Sequence, residues 1–79
     1  MGTTGYGRRV AGDDRTVRYA FGAGPDEIDG ILVIPVDDPD GWYVEGREDR
    51  PVVARNVLHK AVRSRRREGE WPRDASFFS

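Results

Sequence analysis

The chain reads as an α+β domain in the order β-β-β-α, a three-stranded antiparallel sheet with one C-terminal helix packed on one face. Three observations predict it. Arg15–Phe21 and Trp42–Arg47 alternate apolar with polar residues, the period that sends successive side chains to opposite faces of a strand. Ile28–Val36, between them, is the most apolar run of the chain, as expected of a central strand covered on both faces. Pro51–Arg67 repeats its apolar residues at helical spacing instead. A sheet and a helix then supply the two layers that enclose one core.

Residues 1–14 hold Gly2, Gly5, Gly7 and Gly12 among threonine, arginine and aspartate. Such a segment lacks the apolar content to offset the entropy of ordering, and the expectation is a flexible N-terminal tail preceding a single domain over 15–79. Tyr6 with Arg8 and Arg9 is too sparse for a nucleic-acid arm. In the first strand, about 15–21, Val17, Tyr19 and Phe21 share a face. Gly22–Asp26, with two glycines and a proline, ends it.

The second strand, about 28–36, places Ile28, Leu32, Ile34 and Val36 on one face with Gly30, and Asp29, Ile31 and Val33 on the other. Pro35 lacks an amide hydrogen, so pairing ends or bulges there. Asp37–Gly41 is a turn by composition. Its three aspartates do not match a calcium loop, because Val36 and Arg47 stand where the first and last ligands belong. The third strand, about 42–47, aligns Trp42 with Val44.

The helix, about 51–67, opens on a proline suited to a first turn, with Glu48 and Asp49 before it to face the positive end of its dipole. At about 100° per residue, Ala54, Val57, Leu58, Ala61 and Val62 form the core stripe, with Val53 at its edge. Gly69 and Pro72 stop the helix. The segment 70–79 carries Trp71, Phe77 and Phe78, aromatic surface that either folds back over the open face of the sheet or binds a partner. The expected core sets Val17, Tyr19, Phe21, Ile28, Leu32, Ile34, Trp42 and Val44 against the helix stripe.

Seventy-nine residues without cysteine make a small domain with no disulfide and no thiolate metal site. A chain of this size buries only about 60% of its unfolded surface. No apolar run follows Arg8 and Arg9 as in a signal peptide, and no segment reaches the ~20 residues of a membrane span. A cytoplasmic protein with no membrane association is expected. So is the absence of a cofactor.

Thirteen bases face fourteen acids, so the total charge is near zero; its distribution is not even. Nine acids and one base lie between Asp26 and Asp49, whereas Arg50–Arg67 contains no acid. On the helix Arg55, His59, Lys60, Arg63, Arg66 and Arg67 gather opposite the core stripe, and Arg65 drifts toward it and has to snorkel. Pairs such as Arg63 and Arg67 repel one another by about 0.2–0.5 kcal/mol. A solvated face, answered by the helix dipole and by acids such as Asp37, Asp38 or Asp40, is one account of this.

The other account is a binding surface. A non-enzymatic protein-binding module with a bipolar charge layout is the function expected, with Arg55, Lys60, Arg63, Arg66, Arg67, Trp71, Phe77 and Phe78 as partner-binding residues. An inhibitor, antitoxin or immunity-type role is compatible with that layout. Nucleic acid is the alternative partner, through phosphate contacts by the helix bases, but the acidic hairpin opposes it and no zinc or RNP-like spacing supports it. The chain is expected as a monomer or homodimer. Catalysis is not expected: the lone histidine, His59, sits between arginines, and a domain this short has little room for a pocket of about 300 Å³ or more.

Overall fold

The structure, a computed structural model, describes residues 4–78. It contains an antiparallel sheet of four strands in chain order and one helix: β1 (Thr4–Gly12), β2 (Thr16–Gly24), β3 (Glu27–Pro35), β4 (Tyr43–Val44) and α1 (Val52–Glu68). A two-residue strand, β5 (Phe77–Phe78), adds to the free edge of β1, giving the order β4-β3-β2-β1-β5. The α+β class and the C-terminal helix are as the sequence predicts; the expected three strands are not.

The added strand lies where the sequence predicts a flexible tail. Register pairs Gly7 with Phe21 and Arg9 with Tyr19, so the positions of β1 that face the helix are Gly5, Gly7 and Arg9. None carries a large apolar side chain, and the period-two signal is therefore invisible. The strand is held by its neighbours. An ideal Cβ on Gly7 would stand 2.6 Å from Val57 Cγ1 and 3.2 Å from the Ala75 carbonyl oxygen, so the missing side chain is what lets α1 and the C-terminal segment close on β1.

The C-terminal segment runs beside β1 as a strap. The Arg9 amide donates to the Arg73 carbonyl at 2.8 Å and the Ala75 amide to the Gly7 carbonyl at 2.9 Å. The Gly7 amide donates to Ser76 Oγ at 3.1 Å, and the Arg9 guanidinium to the Trp71 carbonyl at 2.8 Å. Across the core, the Tyr19 hydroxyl donates to the Pro72 carbonyl at 2.5 Å. Ala75 is fully buried by this arrangement, and Trp71 packs half-buried against the helix-side core.

That core unites Val17, Tyr19, Phe21, Leu32, Ile34, Trp42 and Val44 with Ala54, Val57, Leu58 and Ala61. Of the expected members only Ile28 is out of place, 44% exposed. It sits at the hairpin end of β3, opposite Gly22, where the β2–β3 register slips. Ser64 is buried in the last turns of the stripe, a small residue where a larger one would hold the helix off the sheet.

The second sheet face differs from expectation. Instead of Trp71, an ion pair of 2.9 Å between Arg18 and Glu45 spans from β2 to the residue after β4. It passes over β3 near Ile31 and Val33, since Arg18 is registered with Val33 and the Glu45 amide bonds the Ile31 carbonyl. Val33 is fully buried. The side chains of Phe77 and Phe78 lie outside the described part of the structure.

The helix begins at Val52, with Pro51 as its cap and no acid in the first turn. Asp49, expected to serve the dipole, is instead bound by Arg47 through two hydrogen bonds of 2.8 and 2.6 Å. At the other end Gly69 adopts φ 84° and its amide donates to the Arg65 carbonyl at 2.9 Å, the left-handed stop expected of glycine. Arg65 snorkels, its guanidinium reaching the Gly69 carbonyl at 2.9 Å.

Candidate functional site

Between the outer flank of α1 and the loop joining β3 to the helix lies an open groove of about 820 Å³. Its helix wall comes from one stripe: Arg55, His59, Arg63, Arg66 and Arg67 recur at spacings of three and four, which keeps them on one side of the helix. The opposite wall is the 3₁₀ turn Pro39–Gly41 with Arg50. Trp42, Leu58 and Val62 line its base, and the first two are 5% and 4% exposed, so the groove rests on the core.

The loop wall owes its shape to Asp37–Gly41. Asp38 and Pro39 start the 3₁₀ turn, and the Gly41 amide donates to the Asp38 carbonyl at 2.9 Å. Trp42 then drops into the core, and Arg50 returns over it. The Arg50 guanidinium carbon stands 4.8 Å from the centre of the Trp42 ring, a cation–π contact of roughly 0.5–1 kcal/mol at an exposed site. A second anchor is the Asp40 carbonyl, 3.3 Å from Arg50 Nη2. Arg50 is thereby held in the lining of the groove that also carries the helix bases.

Five arginines and His59 face a single acid, Asp40, around this groove. Among the described residues the ion pairs are Arg18–Glu45, Arg47–Asp49 and Arg67–Glu68, the last a loose 3.8 Å. Among those residues Arg55, Arg63 and Arg66 have no carboxylate within bridging distance, and none of the helix bases is bridged to Asp37, Asp38 or Asp40. Direct pairing with the acidic loop is therefore not seen, while Arg65, Arg66 and Arg67 do occupy the last turn, where the helix dipole favours them.

The structure divides the residues picked from sequence. Arg55, Arg63, Arg66 and Arg67 come together on the groove. Lys60 turns to the other flank, toward Asp74, whose carboxyl is held below its usual range by hydrogen bonds from Ser76, helped by the charges of Lys60 and Arg8. Trp71 belongs to the core margin. Phe77 and Phe78 pair through the β5 backbone with Gly5 and Thr4.

Sequence reasoning missed Arg50, Trp42, Leu58 and Val62 as groove residues. Arg50 had a signal, because it opens the acid-free run that ends at Arg67. The groove is also larger than a domain of this length suggests, because it lies open on the surface and consumes none of the core. Among the described residues no three His, Cys, Asp or Glu side chains are grouped to hold a metal ion, and no helix is long and apolar enough to cross a membrane.

Comparison with known proteins gives no match to a family model, no significant match to a curated protein and none to a solved structure. The functional conclusion therefore rests on the chemistry of the groove.

Proposed function

We propose that this chain is a non-enzymatic binding module that docks an acidic surface of a partner protein in the groove between α1 and the Pro39–Trp42 loop. The observation carrying this is the concentration of charge: Arg55, Arg63 and Arg66 converge with Arg50 on one concavity, and among the described residues they have no bridged acid partner of their own. A helix face that repels itself is stabilised when a complementary partner supplies the missing acids. Guanidinium groups suit that role, since each offers a planar fork matched to a carboxylate.

Nucleic acid fits the groove less well. Base stacking needs a free aromatic face, and Trp42, the aromatic residue of the groove, is buried and engaged by Arg50. Tyr43, the exposed aromatic nearby, points to the other face of the sheet.

The test is a capture from lysate, with and without nuclease, by the native chain and by the doubly reversed Arg63→Glu, Arg67→Glu variant. A nuclease-resistant protein partner that the variant loses is the expected result. Retention of the partner by the variant removes the groove from the interface, and nuclease-sensitive capture with measurable affinity for duplex or single-stranded nucleic acid at low salt replaces the proposal with the nucleic-acid reading.

A further inference from the structure

Acids able to answer the groove are carried on the same chain, at its other end. Strands β2 and β3 join through the two-residue turn Pro25–Asp26, with Gly24 registered on Glu27. Asp26, Glu27 and Asp29 are exposed there, and among the described residues none of them lies in an ion pair. The tip is also narrow and held in shape. An ideal Cβ on Gly22 would overlap the Glu27 carbonyl, so glycine is what lets the two strands close behind the turn. The register slips on either side of Gly22, the irregularity that adds twist to a ribbon. Asp26 and Glu27 thus project from a preset ribbon and not from a loose loop, which lowers the ordering cost of any contact they make.

β3 keeps the two poles apart. It runs from Glu27, beside the tip, to Pro35, four residues before the Pro39–Gly41 turn that walls the groove. At about 3.3 Å per residue its length is roughly 25–30 Å, in a molecule whose longest extent is 34 Å. A chain cannot lower its own tip into its own groove, so the opposite charges stay unmatched within one copy.

We infer that the occupant of the groove is a second copy of this chain, its β2–β3 tip seated between α1 and the Pro39–Trp42 loop with Asp26 and Glu27 facing Arg55, Arg63 and Arg66. This rests on the protein-binding function proposed above and names the partner whose acidic surface the groove takes. The floor of the groove decides the kind of contact. Trp42 and Leu58 are sealed into the core and Arg50 covers the Trp42 ring, so the groove offers charge and guanidinium hydrogen bonds, and the tip answers with carboxylates. Other acids are placed less well. Asp37, Asp38 and Asp40 belong to the turn that builds the groove's own wall, and Glu45 and Asp49 are in ion pairs. A formal net charge of −1 lets copies approach without the repulsion that a strongly charged chain imposes. With tip and groove at opposite ends, two copies lying antiparallel exchange tips and satisfy both poles at once.

Sedimentation velocity and light scattering on the full chain at low salt test this. The expected result is a mass that rises with concentration up to about 1 mM and returns to that of one copy at high salt, where the screening length falls to about 3 Å at 1 M. Charge reversal locates the two poles. Asp26→Lys with Glu27→Lys, or Arg55→Glu with Arg63→Glu, is expected to weaken association by about ten-fold or more. An equimolar mixture of these two variants is expected to recover it, because each then meets opposite charge on the other at both contacts. Should a reversed variant not fold, dilution of the native chain gives the reading through amide shifts, expected together at Asp26 to Asp29 and at Arg55 to Arg66; shifts confined to other surfaces overturn the inference. So does a native chain that stays monomeric at about 1 mM, association that survives reversal of the tip, or a mixture of folded variants that stays dissociated. In those cases a lysate partner that is still lost on reversal of Arg63 and Arg67 leaves the wider protein-binding function standing, and a lysate partner indifferent to that reversal removes both.

Discussion

Gly7 shows how one atom absent from a side chain can position two elements. With Val57 Cγ1 at 2.6 Å and Cγ2 at 2.9 Å from where its Cβ would sit, Gly7→Ala forces β1 and α1 apart. Overpacking of this kind costs roughly 1–3 kcal/mol, to be read as a lower urea midpoint at unchanged slope. Combining it with Val57→Ala removes the colliding methyls, so the double variant is destabilised by less than the sum of the two single changes. Tyr19 makes a second case, through its proton. Burial pushes its hydroxyl up from 10.0 to about 12, against the opposing charge of Arg9. The folded state thus holds the proton more tightly than the unfolded state. The associated stability is complete below pH 10 and is lost as the pH climbs from 10 toward 12, by about 2–3 kcal/mol over that window. Absorbance titration of tyrosinate is expected to show a late step near pH 12 that Tyr19→Phe abolishes; a Tyr19 that ionises with the unfolded chain sinks the assignment.

At the scale of elements, β1 and the strap depend on one another. Arg9 and Gly7 find partners in Arg73, Ala75 and Ser76, and Tyr19 in Pro72, while Ala75 fills the space beside Gly7 and Val57. Each such bond contributes about 1 kcal/mol net, and more is lost where a buried partner stays unsatisfied. A domain of this length has only about 4–12 kcal/mol in total at the usual stability per residue. A chain ending after Glu70 is therefore expected to lose hydrogen-exchange protection across Thr4–Gly12 and most of its cooperative melting. Full protection of β1 in that truncation would mean that β2 alone suffices to hold it. This interdependence also explains what could be read from the sequence. Val17, Tyr19 and Phe21 announce β2, Leu32 and Ile34 announce β3, and the stripe from Ala54 to Val62 announces α1, because each buries its own large apolar side chains. β1 buries glycine against side chains contributed from elsewhere, and the strap buries an alanine. Neither leaves a periodic trace. Half of the groove was legible for the same reason: the arginine stripe is a property of one helix, whereas the Arg50–Trp42 wall exists only once the loop has folded back.

The whole molecule carries its charge as an arrangement rather than a sum. A formal net charge of −1 conceals a groove where five arginines and His59 surround one aspartate. Among the described residues two acids lie in ion pairs away from the groove: Glu45 with Arg18 on the far sheet face, and Asp49 with Arg47. These exposed pairs contribute little to stability individually; the repulsions along α1 are each of similar size, about 0.2–0.5 kcal/mol, but they share one sign and are relieved together. Salt relieves them by screening, over about 10 Å at 0.1 M. A multivalent anion seated between Arg50, Arg55 and Arg63 relieves them by pairing, and anything that binds only the folded state raises its stability by mass action. The two can be separated. For a sulfate dissociation constant on the order of 10 mM, an equal sulfate concentration contributes about 0.4 kcal/mol, or about 2–3 °C in Tm for a domain of this size. Sodium chloride at the same ionic strength is expected to give a smaller rise, and Arg55→Glu with Arg63→Glu to erase the difference between the two salts. If sulfate and chloride act alike at matched ionic strength, the bases screen as a diffuse cloud and do not converge as a site, because only convergence distinguishes a divalent anion from its equivalent in monovalent salt.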